Sequence, residues 1–303
     1  MGRRKGLPID GVLLLDKPQG ISSNAALQRV RRAFGAAKAG HTGTLDPMAQ
    51  GLLPIALGEA TKFTQFLLDA DQTYLAEIPL GVVTDTGDAE GRVIEQFEHR
   101  PTLDEIVSAC GRWIGPQNQI PPIYSALKHE GKPLYEYARA GEVVEKPARL
   151  VTIHAMELLE ASSPEKIRVR VRCSKGTYIR VLAMDLGRDL GCGGHLTALT
   201  REATGPFRLE SAVSLDALEA MATKERLALL GPVETFAQHL PILALPLELA
   251  AKIRFGQSIQ YGRVEDSDPS EENLVRLYDN EAFFGIGRLS VAGELAPLRL
   301  VAS

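Results

Sequence analysis

The chain has 303 residues, enough for about two domains and a sizeable core. Its apolar share of 45% and charged share of 24% are ordinary for a globular protein. No uncharged apolar run approaches the roughly 18 residues of a membrane span. The three cysteines, Cys110, Cys173 and Cys192, form no C-x-x-C pair and indicate a reducing compartment. The six histidines show no metal-ligand spacing, so no metal site is expected. The apolar stretch at 12–15 is too short for a signal peptide, and the chain is expected in the cytoplasm.

Net charge is −4, but it is unevenly distributed. Residues 1–63 hold nine Lys and Arg against four Asp and Glu, and residues 166–208 hold nine against three. Between them, 64–165 hold eight against seventeen, and 209–303 hold eight against fourteen. The two basic blocks can meet in space as one positive cleft, the local field that holds a polyanion. Scattered solvated charge is the alternative reading of the same counts.

In chain order, 12–15 reads as a short buried strand ending in a Pro-Gly turn. Ser22, Ser23 and Asn24 are N-cap candidates for a helix with Leu27, Val30 and Phe34 at helical spacing. The turn GHTGTLDPMAQG (40–51) follows, then a brief apolar strand, GLLPIALG. EATKFTQFLLDA is expected to be a helix with Phe63, Phe66 and Leu67 on one face. From Thr73 the period becomes two, with Tyr74, Ala76, Ile78 and Leu80 on one side of a strand. TDTGDAEG reads as a polar turn before the strand RVIEQF, and LDEIVSACGRWIG as a helix leading into a long surface loop.

KIRVRVRC alternates Ile167, Val169, Val171 and Cys173 with Arg168, Arg170 and Arg172, a strand with one apolar and one cationic face. A helix follows, ending in the glycines of 191–194. Arg180 falls in its first turn, where the helix dipole disfavours a cation unless an anion is there to meet it. After Pro241, LPILALPLEL reads as a Pro-punctuated linker into closely spaced short strands, a small all-β domain.

The run AGHTGTLDPMAQGLLPIALGEATKF resembles the active-site segment of the bacterial tRNA pseudouridine synthase B (TruB) family. GVLLLDKPQGISSN, IYSALKHEGKPLYEYARAGE and CSKGTYIRVLAMDLGRDLGCGGHL match further family segments in order, so the likeness spans roughly residues 10–205. HLTALTREAT departs slightly from the family's commonest pattern, with Thr200 before Arg201. The resemblance implies an α+β pseudouridine-synthase fold, a mixed and largely antiparallel sheet flanked by helices, over residues 1–240. A small all-β, PUA-like RNA-binding domain is implied over 241–303. The implied activity is isomerisation of uridine 55 in the TψC stem-loop of tRNA to pseudouridine, with no cofactor, no metal, no obligatory protein partner and a monomeric enzyme.

The same resemblance makes Asp46 the catalytic carboxylate, acting at C1′, at C6 or on the 2′ proton. It makes Arg180 the partner of that carboxylate, Tyr74 the ring that stacks on the flipped base, and Tyr178 and Leu199 walls of the uracil pocket. His41 is implied near the position the base vacates on flipping. Lys17, Lys62, Lys128, Arg139 and Lys175 are candidates for RNA phosphates, and the glycines of the Asp46 turn are expected to admit RNA backbone closely. Two other readings stay open: a tRNA-folding chaperone acting without catalysis, and a guide-RNA-dependent relative, which would carry basic tails that this chain lacks.

Overall fold

The computed structural model describes residues 6–122, 128–129, 132–133, 137, 146–163, 165–262, 273–280 and 282–302. Strand β1 (Gly11–Lys17) leads to helix α1 (Ser23–Phe34). Ser22 caps α1 by accepting from the Ala25 amide at 3.1 Å, and Gly35, at φ 64°, closes it by donating to the carbonyls of Arg31 and Arg32. Ala26, Leu27, Val30 and Phe34 form the buried stripe that the spacing predicts. Each of the larger three contributes about 1.5–3 kcal/mol by leaving water, and a charge at Val30 would break that face.

Strands β2 (Ala39–His41) and β3 (Ala49–Leu57) follow, then β4 (Gln72–Pro79) and the paired β5 (Val82–Thr84) and β6 (Val93–Gln96). Helix α2 (Leu103–Arg112) opens with a capping box between Thr102 and Glu105. After it come β7 (Gly115–Gln119) and a minimal ladder of β8 (Lys128–His129) with β9 (Lys132–Pro133). The long β10 (Arg149–Ser163) and β11 (Lys166–Cys173) precede α3 (Ile179–Asp189), and β12 (Ala198–Thr204), β13 (Phe207–Arg208) and β14 (Val213–Ser214) complete the sheet. Two short helices, α4 (Leu215–Ala220) and α5 (Thr223–Ala228), follow.

Ten of these strands form one sheet in the order β14-β1-β3-β12-β4-β11-β10-β7, with β2 added to β3 and β13 to β12, while β5–β6 and β8–β9 are separate two-stranded ladders. Only the β1–β14 and β3–β12 pairings in it are parallel. One apolar core joins α1 and α4 to β1 and β3; the other joins α2 and α3 to β4, β10 and β11. The three-residue β3–β12 pairing, Leu199 with Ala49 through Arg201 with Gly51, joins the two halves.

The segment expected to be one helix at 59–70 is two 3₁₀ turns, Gly58–Lys62 and Thr64–Leu67. The Thr61 and Thr64 hydroxyls donate to the carbonyls three residues back, competing with α-helical bonding. The apolar side chains are also drawn two ways. Phe63 and Phe66 pack with Ala237, Phe283 and Ile286, whereas Leu67 packs with Val12, Ala56 and Phe236.

LPILALPLEL is likewise not a linker. It forms β15 (Ile242–Leu245) and the start of α6 (Leu247–Arg254). With β16 (Ile259–Gln260), β17 (Asn273–Asp279), β18 (Ala282–Leu289) and β19 (Glu294–Leu300), β15 builds a five-stranded sheet in the order β15-β17-β18-β19-β16. Its core is centred on Leu277, Phe284 and Leu295. Polar contacts fasten this sheet to the 3₁₀ turns: Lys62 donates to the Leu300 carbonyl at 3.0 Å, and Glu59 accepts from the Ala302 amide at 2.6 Å.

Candidate active site

Asp46 stands in a turn fixed from several sides. The buried Ser23 hydroxyl, at the first residue of α1, accepts from the Leu45 amide at 2.8 Å and donates to the Leu45 carbonyl at 2.9 Å. The Thr42 amide donates to Pro54, Ala49 to the Asp46 carbonyl, and Gly20 to the Pro47 carbonyl. Arg201, on β12, is fully buried; its Nε donates to the Leu52 carbonyl at 2.8 Å and its Nη2 to the Gly43 carbonyl at 3.1 Å.

Two of the turn's three glycines answer to this packing. Gly43 has φ +75°, and a Cβ there would stand 3.2 Å from Arg201 Nη1; at Gly51, φ +102°, it would stand 2.5 Å from the Arg201 carbonyl. At Gly43 and Gly51 the close approach of β12 is thus a reason internal to the fold, whereas a Cβ at Gly40 would meet only Thr61 Cγ2, at 3.8 Å.

The Arg180 guanidinium reaches Asp46 from α3, with Nη2 2.9 Å from Oδ2. Its Nη1 lies 3.5 Å from a second carboxylate, Asp88, and only 4% of the Arg180 side chain is exposed. The unfavourable place of a cation in this first turn thus has its anions. Asp88 is buried on the polar turn after β5, where its Oδ1 accepts from the Thr86 hydroxyl at 2.6 Å and the Glu90 amide at 3.1 Å.

Burial lifts the Asp46 carboxyl above its usual range; Arg180 pulls it back, and the charge of Asp88 adds to the rise. Lys17, fully buried at the end of β1, donates to the carbonyls of Pro18 and Ile21, each at 2.8 Å. Burial lowers its ammonium to about 8, against the opposing attraction of Asp46. Lys17 was expected at RNA phosphates; instead its ammonium is enclosed beside the carboxylate. Three cations from the two basic blocks, Lys17, Arg180 and Arg201, do gather here.

Tyr74 is buried on β4, next to Arg201 in the β12 ladder, and its hydroxyl donates to Gln72 Oε1 at 2.5 Å. Burial raises its phenol, more than the charge of Arg201 lowers it, so it is protonated at neutral pH. His41 is half-buried on β2, and burial followed by the charge of Arg201 lowers its imidazole, leaving it neutral at pH 7. Leu199 is buried in β12 between Ala49 of β3 and Ala76 of β4. Tyr178 is the N-cap residue of α3, so it stands two positions before Arg180.

The outer phosphate candidates fare differently. Lys62 pairs with Glu59 at 2.6 Å and donates to the Leu300 carbonyl of the second sheet. Lys175 is exposed and paired with Asp69. The side chain of Lys128 and the whole of Arg139 lie outside the described residues. Much of the cationic face of β11 is ion-paired: Lys166 pairs with Glu77 at 2.7 Å, Arg170 with Glu202 at 2.8 Å and Arg172 with Asp71 at 3.9 Å. Most of the acidic partners come from the 64–165 block, so neighbouring strands cancel what charge counting separated. Among the described residues no group of three or more His, Cys, Asp and Glu is placed to hold a metal ion.

Sequence reasoning missed Asp88, Gln72 and the burial of Lys17 and Arg201. The TDTGD pattern held one signal for Asp88, a threonine placed two residues before an aspartate to support its carboxylate.

Known structures share this frame. Over 97% of the chain and 84% of its counterpart, it superposes with a TM-score of 0.71 and 24% identity on a crystal structure of a Cbf5-Nop10-Gar1 complex. Over 100% and 92%, it superposes with a TM-score of 0.73 and 22% identity on an H/ACA RNP bound to a substrate RNA containing 2′-deoxyuridine. The architecture is the pseudouridine-synthase fold with an appended β domain. Residues 31–179 match the TruB family pseudouridylate synthase N-terminal domain, 180–238 the tRNA pseudouridylate synthase B C-terminal domain, and 241–301 the pseudouridine synthase II TruB C-terminal domain. The chain is 54% identical over 295 residues to tRNA pseudouridine synthase B of Aromatoleum aromaticum, covering 97% of this chain and 94% of the relative. It is 51% identical over 301 residues to tRNA pseudouridine synthase B of Chromohalobacter salexigens, covering 99% and 96%. The chain belongs to the TruB family.

Proposed function

We propose that this chain isomerises uridine 55 in the TψC arm of tRNA to pseudouridine, with Asp46 as the catalytic carboxylate. The carrying observation is the Asp46–Arg180 pair at 2.9 Å: a carboxylate aimed from a braced turn and paired with a buried guanidinium. Family membership, with relatives named tRNA pseudouridine synthase B, supports the reaction and substrate. The reaction breaks N1–C1′, joins C5 to C1′ and expels the C5 proton, while N1 takes one up. No electrons are transferred to or from an outside group.

In this reading Asp46 supports the electron-poor sugar or bonds to it. Rigid aim matters because a displacement of about 1 Å costs roughly 10²-fold in rate. Flipping brings the base onto the Tyr74 ring, between Tyr178 and Leu199, and neutral His41 faces the space it leaves. The protonated phenol, fixed on Gln72, acts as a platform. Lys175 exchanges Asp69 for an RNA phosphate at little cost, because an exposed ion pair is worth only about 0–1 kcal/mol. Residues 1–240 serve as the catalytic domain and 241–303 as a PUA-like RNA-binding module of a cytoplasmic, monomeric enzyme; among the described residues no helix is long and apolar enough to cross a membrane.

The test is tritium release from tRNA transcripts labelled at uracil C5. Release by the wild type and none by Asp46→Asn is expected. Equal release by both removes Asp46 from its role, and release by neither refutes the reaction.

A further inference from the structure

Helix α3 begins without a side-chain cap of its own: its N-cap residue is Tyr178, which makes no capping hydrogen bond from its side chain. Gln119, the last residue of β7, instead holds the N-cap residue's own backbone from a distant part of the chain. Its Oε1 accepts from the Tyr178 amide at 2.7 Å, and its Nε2 donates to the Tyr178 carbonyl at 3.1 Å. That carbonyl also accepts the first bond of the helix, from Leu182 at 3.1 Å. Gln119 is a buried polar residue, 6% exposed, so on its side of these part-buried bonds a lost partner leaves an unsatisfied group. One amide therefore reads both backbone groups of a single residue, as a neighbouring strand would.

The structure assigns Gln119 as a positioning residue for the reaction: its side-chain amide clamps the Tyr178 backbone and so sets the entry angle of α3, which aims Arg180 at Asp46 and Asp88. This rests on the functional reading above, because the consequence is a rate. The geometry is short and rigid. Tyr178 is two residues before Arg180, whose guanidinium meets the two carboxylates at 2.9 and 3.5 Å. A tilt of the first turn moves the guanidinium against Asp46, and the rate is sensitive to such a movement.

Two variants separate clamping from bulk. Gln119→Met keeps much of the volume and removes both bonds. Gln119→Glu is isosteric, and its protonated form presents an acceptor and a donor as the amide does, whereas its ionised form faces the Tyr178 carbonyl with no donor. Burial against that carbonyl disfavours the ionised form, so the loss of the donor grows as pH rises. Arg149, exposed, lies opposite Gln119 on β10, and Arg180 on α3 stands two residues beyond the clamped Tyr178; both cations oppose a rise of that carboxyl. Dividing each rate by the wild-type rate at the same pH removes the titration of Asp46 itself.

Single-turnover and steady-state C5 tritium release are measured from pH 5.5 to 8.5, together with backbone amide exchange over residues 174–182 in the RNA-free protein. For Gln119→Met, kcat is expected to fall about tenfold to hundredfold, the scale of one to two unsatisfied buried groups, with KM little changed. Gln119→Glu is expected within about threefold of wild type at pH 5.5 and far below it at pH 8.5. Exchange over 174–182 rises in Gln119→Met and stays at wild-type levels elsewhere. An active wild type with both variants within twofold of it, or a Gln119→Glu deficit equal at every pH, overturns the proposal. If the wild type releases no tritium, the functional reading fails, and unchanged exchange would overturn the clamp as well.

Discussion

Arg180→Met tests the electrostatic core of the site. The substitution keeps most of the side-chain length but leaves Asp88, 7% exposed, without its guanidinium. Breaking a buried pair from one side costs about 3–5 kcal/mol. Asp88 keeps its bonds from Thr86 and Glu90, and Asp46 keeps about a third of its side chain, 35%, in contact with solvent. Both moderate the loss, which places it near the lower end, about 3 kcal/mol. At about 2 °C per kcal/mol for a chain of this size, the melting temperature falls by about 6 °C.

The sign of the pH dependence follows from Asp46. Its carboxyl already lies above the ordinary 3.8, and losing Arg180 raises it further. A raised carboxyl adds stability that is full below its unfolded value and is lost as pH climbs through the folded value. The variant's deficit is therefore largest at neutral pH and narrows toward pH 4. The acid limb of the kcat/KM profile moves to higher pH, and the rate at its optimum falls by about 10²-fold or more. Calorimetry at pH 4.5 and 7.5, with C5 tritium release across the same range, reads both effects. A melting temperature within 2 °C of wild type and a rate within tenfold would refute the reasoning.

Lys17→Met removes a buried ammonium that is lowered to about 8. The wild type gains stability as pH rises from about 8 toward the unfolded value of 10.5, because there the unfolded chain binds the extra proton. The variant lacks that gain, so between pH 7 and 9.5 its urea-derived stability drops relative to wild type by about 2 kcal/mol. A constant difference across this range would show that Lys17 does not titrate there. Phe63→Ala empties a fully buried site whose ring meets Phe283 edge-on at 5.3 Å. The expected cost is about 3–5 kcal/mol, with the second sheet melting apart from the first in calorimetry; one unshifted transition would refute this seat.

The parts legible in the sequence were those whose cause is local. The 3.6-residue stripe of Leu27, Val30 and Phe34 and the alternation of Tyr74, Ala76 and Ile78 each need only one buried face, and both stand as read. The 3₁₀ turns escaped because Phe63 and Leu67 are buried against different partners, one of them in the second sheet. The same holds at the site. An arginine in the first turn of a helix advertised a partner, and two are there. Lys17 and Arg201 gave no such sign, because their burial arises only when β3 is flanked by β1 on one side and β12 on the other. The cationic face of β11 was visible residue by residue, but its ion pairing depends on register: Arg172 opposite Thr73 and Arg170 opposite Leu75 bring it alongside the acids of neighbouring strands.

The junction between β3 and β12 also bears on how the protein acquires its activity. Arg201 braces the Asp46 turn through Leu52, a residue 149 positions earlier, and the strands meet over only three residue pairs in parallel. Parallel, non-local pairing forms slowly, since loop closure comes before its contacts are made. A chain emerging from the ribosome can complete the Leu13–Leu57 side of the sheet while its carboxylate still lacks both Arg180 and Arg201. Recovery of activity on refolding should therefore track the last closure of the sheet and lag behind the appearance of helix α1. A fragment ending before β12 should be inactive even where its own strands are formed.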